Sequence, residues 1–141
     1  MITEDYVSFE TAKLLKEKGF DCPCKVWYAE YTSVWGGDPS GDRKYINIQF
    51  DDKNRFDEYY KFLCYAPTLQ MAMKWLRNTF HLEIYPYHNY DNSKWWYEII
   101  KYPNSVAEYE CGKDEELNTY EEACENAIKY CLEKLINNDK K

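Results

Sequence analysis

Apolar residues recur every three or four positions in three stretches of the chain, which is the spacing of one helix face. Each stretch begins at a residue whose hydroxyl can accept hydrogen bonds from the free amides of a helix start, namely Ser8, Thr68 and Thr119. Thr119 and Glu122 have the spacing of a capping box, and Gly19 can end the first stretch in a left-handed conformation. The pattern predicts helices over Ser8–Lys18, Thr68–Thr79 and Thr119–Ile136.

Five other stretches are rich in β-branched and aromatic residues, as strands are. Polar and apolar side chains alternate most regularly over Tyr45–Phe50, which is typical of a strand with one buried face. Gly36–Asp42 is the densest run of turn-forming residues and predicts a hairpin loop. Pro86 and Pro103 place the last two strands near sheet edges or strand ends, because proline cannot donate to a ladder. The predicted strands are Cys24–Val34, Tyr45–Phe50, Tyr59–Tyr65, His81–Tyr87 and Trp95–Tyr102.

The predicted elements follow the order α-β-β-β-α-β-β-α. Connections of hairpin length favour antiparallel pairing, and three helices that are apolar on one side need a sheet to cover. We therefore expect a two-layer α+β fold, in which a mainly antiparallel sheet of about five strands is covered by three helices. No repeat or linker divides the chain, so residues 1–136 are expected to form a single domain and residues 137–141 a frayed C-terminal tail.

Composition places the chain among globular proteins. Hydrophobic residues make up 45% of its 141 residues, and glycine and proline occur only five times each, which argues against collagen-like and disordered chains. No apolar run approaches the roughly 20 residues of a membrane span. The N-terminal sequence MITEDYVSFE has acids where a signal peptide has basic residues, and no apolar run follows. These patterns predict a cytoplasmic protein whose six cysteines are thiols.

The net charge of −7 comes from the segment Glu108–Glu125, in which Lys113 is the only basic residue. A chain without a basic excess lacks the electrostatic term that drives most nucleic-acid binding, so nucleic acid is not an expected ligand. The acidic segment could attract a basic protein surface, although a solvated loop is the commoner use of such a segment.

Two motifs suggest a bound ligand, and both are incomplete. Gly36 and Gly41 have the spacing of a phosphate loop, but Asp42 stands where that motif needs lysine. Cys22 and Cys24 could supply two zinc ligands, yet no second pair of cysteines or histidines has the spacing of a zinc site. No metal or other cofactor is expected, with zinc held by the two cysteines as the open alternative.

Nucleophilic catalysis needs a serine or cysteine beside a base. The chain has two histidines, and the available combination is Cys64 with His81 or His88. No sequence signature of a known nucleophile accompanies it. We therefore expect no catalytic residues, and the alternative is a small enzyme or ligand-sequestering protein with a pocket near these three side chains.

Aromatic residues make up 18% of the chain, about twice the usual share. A core of this size cannot bury so many rings, and tyrosine and tryptophan are enriched in protein interfaces. This excess predicts a binding face, while the alternative is a sheet that the rings only cover. The candidates for surface exposure are Trp27, Tyr28, Tyr31, Trp35, Tyr85, Tyr87, Tyr90, Trp95, Trp96 and Tyr97. The predicted binding residues among them are Trp27, Trp35, Trp95, Trp96 and Tyr97.

The segments around the three predicted helices read VSFETAKLLKEKGFD over Val7–Asp21, APTLQMAMKWLR over Ala66–Arg77 and YEEACENAIKYCLEKLI over Tyr120–Ile136. They resemble a group of short proteins encoded in prophages and other mobile elements of gut Bacteroidetes. The resemblance implies no enzymatic activity and no catalytic residues. It implies a cytoplasmic accessory protein of a phage or mobile element, for which binding a host or phage macromolecule is a common role.

The leading hypothesis is therefore a non-catalytic protein-interaction module that uses an aromatic-rich surface. The expected partner is a protein, with a homodimer as one way of covering that surface. Neither a membrane nor a nucleic acid is an expected partner.

Overall fold

The helices and strands of the protein follow the predicted order. A computed structural model describes residues 4–32, 44–50, 60–102, 106–110 and 116–136, so the predicted loop Gly36–Asp42 and the tail 137–141 lie outside the described residues. The α+β class and the antiparallel pairing are confirmed, and the structure adds one strand before the last helix. The elements are α1 Phe9–Glu17, β1 Trp27–Thr32, β2 Lys44–Gln49, β3 Tyr60–Tyr65, α2 Leu69–Phe80, β4 Leu82–Asn89, β5 Lys94–Lys101, β6 Val106–Glu110 and α3 Tyr120–Tyr130, which continues as a π-helical turn Cys131–Leu135.

The described strands form two sheets, whereas the sequence predicted one. The first sheet has the order β2-β1-β3 and the second β4-β5-β6. The chain leaves β3 at Ala66, and the Val7 amide donates to the Pro67 carbonyl at 3.0 Å while Tyr6 forms a bridge with Thr68. Helix α2 begins at this point and carries the chain from the first sheet to the second.

The three helices begin at the predicted hydroxyl residues. The Ser8 Oγ accepts from the Thr11 amide at 3.2 Å, and the Thr68 Oγ1 accepts from the Met71 amide at 3.1 Å. Thr119 caps α3 in the same way. Each cap satisfies an amide that has no partner within the helix.

Glu125 of α3 holds the start of α1. Its carboxylate accepts hydrogen bonds from the Ser8 amide at 3.3 Å, from the Ser8 hydroxyl at 2.5 Å and from the Thr11 hydroxyl. Thr11 is completely buried. One turn further along α3, Lys129 forms an ion pair with Glu10 at 3.1 Å. These contacts fix α1 against α3, and the carboxylate lies where the helix dipole favours a negative charge.

Helices α2 and α3 cover one face of the second sheet and form the core with it. The apolar stripe predicted along the last helix is buried and continues through the π-helical turn. Within the described residues, no helix has both the length and the hydropathy needed to cross a bilayer. The buried side chains of this core include Leu69, Ala72, Met73 and Leu76 of α2, Leu82 and Ile84 of β4, Tyr97 and Ile99 of β5, and Ala123, Cys124, Ala127, Ile128, Cys131 and Leu132 of α3 and its turn.

Among the described strands, β4 lies at an edge of the second sheet. At the two ends of its ladder with β5, the Tyr102 amide donates to the His81 carbonyl at 3.1 Å and the Ser93 amide to the Asn89 carbonyl at 2.9 Å. Hydrogen-bonded pairs alternate along an antiparallel ladder, so the even-numbered residues of β4 direct their backbone groups to the free edge. Pro86 is one of these residues, so its missing amide hydrogen costs no ladder bond. The edge position predicted for Pro86 is confirmed.

Candidate functional site

The second sheet has a face that packs on the helices and an opposite face that points away from them. Side chains alternate along a strand, and the burial of Leu82 and Ile84 on β4 and of Tyr97 and Ile99 on β5 identifies the covered face. Three cross-strand pairs in the middle of the opposite face, here called the outer face, are Glu83–Ile100, Tyr85–Glu98 and Tyr87–Trp96.

Aromatic rings and a carboxylate lie side by side on the outer face. Tyr85 is 44% exposed and Tyr87 is 40% exposed. The rings of Tyr87 and Trp96 meet edge to face, with their centroids 6.4 Å apart. The Tyr87 hydroxyl donates to Glu98 Oε1 at 2.5 Å. No lysine or arginine among the described residues forms an ion pair with Glu98, so a negative charge stands among partly exposed rings without a cation.

The outer face can bind a cation together with apolar groups. Aromatic rings attract cations through their negatively charged faces, and a carboxylate adds charge-assisted hydrogen bonds. Glu83 is already paired with Arg77 of α2 at 3.3 Å, which leaves Glu98 as the acid for a partner. Comparison of the chain with protein-family models, with curated proteins and with solved structures finds no match. Function therefore has to be inferred from the geometry of the site.

Two of the predicted binding residues, Trp95 and Trp96, lie on opposite faces of β5. Trp96 belongs to the outer face. The Trp95 ring points the other way and contacts His88 at 4.9 Å and Tyr120 at 5.5 Å between centroids. Successive residues of a strand cannot share a face, so the run from Trp95 to Tyr97 does not form one binding surface.

Two other predicted binding residues are in the interior. Trp27 of the central strand β1 is 2% exposed and packs against Phe62, while Tyr97 of the central strand β5 is 5% exposed. Neither ring has the accessible surface that contact with a partner needs, so we leave both out of the binding surface. Trp35 lies outside the described residues. Alternation along β4 places Tyr85 and Tyr87 on one face together, although it does not by itself say that this face is the exposed one.

The three side chains of the predicted pocket do not meet. His81 ends α2 in the left-handed conformation at φ 61°, and His88 lies at the other end of β4. At about 3.3 Å per residue along the strand, roughly 20 Å separates the two histidines. Cys64 of β3 lines a cleft beside α1, and neither histidine lines that cleft. The geometry therefore gives Cys64 no histidine base.

The cysteine pair lies in the segment after α1. Cys22 is exposed, and the Cys24 thiol donates to the Cys22 carbonyl at 3.4 Å. Burial, followed by the neighbouring Cys22 sulfur, raises the pKa of Cys24. Within the described residues, no group of three or more His, Cys, Asp or Glu side chains is placed to hold a metal ion. Cys111 lies outside those residues.

Three acids of the segment Glu108–Glu125 have hydrogen-bond partners within the protein. Glu116 accepts hydrogen bonds from the amide groups of Asn89 and Asn92 at 3.2 and 2.9 Å, which ties the β4–β5 turn to the chain before α3. Glu122 accepts from the Asn118 amide at 3.0 Å. Together with Glu125, these acids stabilise helix starts and a turn, so the outer face is the better candidate for binding a partner.

Three buried thiols are expected to be unreactive in the folded protein. Burial raises the pKa of Cys64 and of Cys124 to about 11 and that of Cys131 to about 12. The thiolate is the nucleophile, so iodoacetamide at pH 8 should modify the exposed Cys22 and leave these three unmodified until denaturant is added. Peptide mapping by mass spectrometry measures each site. Equal modification of all four cysteines in native buffer would contradict the burial of this core.

The same raised pKa values predict how stability changes at high pH. An exposed thiol has a pKa of 9.0, so above that pH the unfolded chain loses protons that the folded chain keeps. The free energy of unfolding should therefore be insensitive to these thiols below pH 9 and fall as the pH rises through 11. Urea denaturation at pH 8 and pH 10 measures the difference.

Proposed function

We propose that this protein is a non-catalytic interaction module whose outer face binds a partner protein through a lysine or arginine of that partner. The observation that carries the proposal is the group formed by Tyr85, Tyr87, Trp96 and Glu98, in which partly exposed rings surround a carboxylate that has no paired cation among the described residues.

The physical chemistry of this group favours a basic partner over other ligands. A cation over a tyrosine or tryptophan ring gains about 0.5–2 kcal/mol, depending on how far water is excluded. Tyrosine, tryptophan and arginine dominate the energetically important contacts of protein interfaces. The net charge of −7 also attracts a basic surface at long range.

The biological setting of the proposal comes from the resemblance of the helical segments to proteins of prophages and mobile elements. An accessory protein of this kind would act in the cytoplasm by binding a host or phage protein. A second copy of the chain is the other candidate partner. Pairing of two outer faces about a twofold axis would bring two Glu98 carboxylates towards each other, so the charge on this face favours a different, basic protein.

The proposal predicts that two outer-face rings are needed for binding. The double variant Tyr85→Ser/Trp96→Ser should retain at least tenfold less of a protein that the immobilised wild type captures from a bacterial lysate, because interface tyrosines and tryptophans each contribute about 2 kcal/mol or more. The matched control is Tyr90→Ser, since Tyr90 is 88% exposed in the β4–β5 turn and contacts His88 on the other side of the sheet. Quantitative mass spectrometry of the retained proteins measures the difference.

The variant Glu98→Gln tests the role of the negative charge, because glutamine keeps a side-chain oxygen that can accept from the Tyr87 hydroxyl. Capture should weaken in this variant and in high salt. Equal capture by the double variant, or loss of capture only in Tyr90→Ser, would reject the proposed surface. Sedimentation of the wild type and the double variant distinguishes a different protein from a second copy of the chain. If the wild type is a dimer and the double variant a monomer, the partner is a second copy.

A further inference from the structure

Two clefts have Phe20, in the segment that follows α1, as a common lining residue. The first has a volume of about 180 Å³ and lies between α1 and β3, where Lys16, Phe62 and Cys64 contribute to its walls. The second has a volume of about 290 Å³ and lies against α2, beside Met71. Phe20 lines both clefts. Neither alone exceeds the lower limit of common small-molecule sites, about 300 Å³, whereas their volumes together would fall within that range.

The Phe20 side chain is buried and lines both clefts. Its backbone is fixed, because the Phe20 amide donates to the Leu15 carbonyl at 2.9 Å and Gly19 turns the chain at φ 105°. Its ring packs edge to face on Trp75 with centroids 5.4 Å apart. Joining the clefts requires the Phe20 side chain to change rotamer and to leave its contact with Trp75.

Each cleft is lined by both apolar and polar side chains. Ala12, Phe62 and Tyr65 make the first cleft largely apolar, but Asp21 stands beside Lys16 there. The second cleft has the side chains of one α2 face, spaced three and four residues apart. Among them Lys74 and Asn78 are neighbouring polar groups on that face, with Met71 and Trp75 as the apolar part.

This arrangement suits a ligand with a long apolar body and one carboxylate. We propose that the two clefts form one site for an amphipathic carboxylate such as a medium-chain fatty acid. The carboxylate is placed at Lys74 and Asn78, because the cation of the first cleft, Lys16, is accompanied there by Asp21 and already donates to the Leu63 carbonyl at 2.8 Å. The apolar chain passes Phe20 and enters the first cleft. This inference does not depend on the outer face, which lies on a different part of the chain.

The first test compares three ligands with the same apolar body. Isothermal titration calorimetry of the wild type with decanoate, decanol and decylamine, each below its micelle-forming concentration, should show the tightest binding for decanoate. A carboxylate that meets an ammonium and an amide gains charge-assisted hydrogen bonds that the alcohol lacks, which corresponds to about five- to tenfold in affinity. Decanol or decylamine binding as tightly as decanoate would overturn the proposal, as would the absence of decanoate binding.

The second test removes the charge with little risk to the fold. Lys74 is exposed, so Lys74→Met should fold normally, bind decanol as the wild type does and bind decanoate about five- to tenfold more weakly. Lys134→Met is the matched control, because Lys134 is exposed and lines neither cleft. Unchanged decanoate affinity in Lys74→Met, or an equal loss in Lys134→Met, would show that the carboxylate does not bind at Lys74.

The third test asks whether the ligand spans both clefts. Ala12 lines the first cleft and Met71 the second, so their methyl groups are natural reporters for nuclear magnetic resonance. Decanoate should shift both methyl signals in proportion to occupancy, while the methyl signal of Ala123, buried in α3, stays in place. A shift at Met71 without one at Ala12 would overturn the joined site. The Tyr85→Ser/Trp96→Ser variant should bind decanoate normally, so failure of the proposed protein interaction would leave this site unaffected.

Discussion

Replacing Glu125 by alanine is expected to reduce the free energy of unfolding by about 2–4 kcal/mol. The carboxylate accepts hydrogen bonds from the amide and hydroxyl of Ser8 and from the hydroxyl of Thr11. Thr11 is completely buried, so its hydroxyl would lose its acceptor where water cannot easily replace it. An unsatisfied buried donor costs about 1–3 kcal/mol, and loss of the charge at the start of α1 adds to that cost.

Urea denaturation of the wild type and of two further variants would test this expectation. Glu125→Gln keeps an acceptor oxygen and loses the charge, so its loss of stability should be intermediate. Glu121→Ala is the matched control, because Glu121 is exposed in the first turn of the same helix and should change stability by no more than the helix-dipole contribution of about 0.3–1 kcal/mol. Similar stability for Glu125→Ala and Glu121→Ala would mean that the hydrogen bonds to α1 do not stabilise the fold.

Replacing Leu76 by alanine is expected to cost about 2–5 kcal/mol, since it removes a large side chain from the centre of the core. Leu76 is completely buried on the face of α2 that packs with β4 and α3. The loss combines the transfer free energy of the deleted groups with the cavity that remains. Against a total stability of about 5–15 kcal/mol, the variant should unfold at a clearly lower urea concentration.

Met71→Ala on the same helix is the matched control for this loss. Met71 is 43% exposed, so truncating it leaves no enclosed cavity and should cost less than about 1 kcal/mol. Both variants keep α2 free of new polar groups. Equal destabilisation by the two substitutions would indicate that helix propensity or some general effect on α2, rather than core packing, sets the stability.

The helices could be predicted because their signals are local. A capping hydroxyl at Ser8, Thr68 or Thr119 binds an amide only three residues away, and an apolar face requires only the helical repeat. The predicted first helix, Ser8–Lys18, differs from the observed Phe9–Glu17 only in its capping residues. The continuation of α3 into a π-helical turn has no such local signal.

The division into two sheets could not be predicted, because strand pairing depends on residues far apart in the chain. The break at Pro67 depends on a hydrogen bond from Val7, sixty residues earlier in the chain. Strand β6 falls at the start of the acidic segment, whose charges suggested a loop. Its partner is the central strand β5, and backbone pairing does not require an apolar pattern.

The sequence predicted that some aromatic side chains are exposed, but it identified only part of the exposed set. The excess of rings correctly pointed to exposed aromatic side chains, since Tyr85 and Tyr87 were among the candidates and are exposed. Burial of Trp27 and Tyr97 depends on which face of each sheet the helices cover. Alternation along a strand separates two sets of residues but does not say which set is inside.

The position of Pro86 limits how any partner can approach the second sheet. A foreign strand that tried to lengthen this sheet beside β4 would find no donor at Pro86, in the middle of the strand. Strand addition uses main-chain hydrogen bonds and therefore depends little on the sequence of the partner. Pro86 disfavours this kind of binding beside β4. A partner that approaches beside β4 therefore has to be selected by its side chains, and the same proline disfavours edge-to-edge polymerisation through this strand.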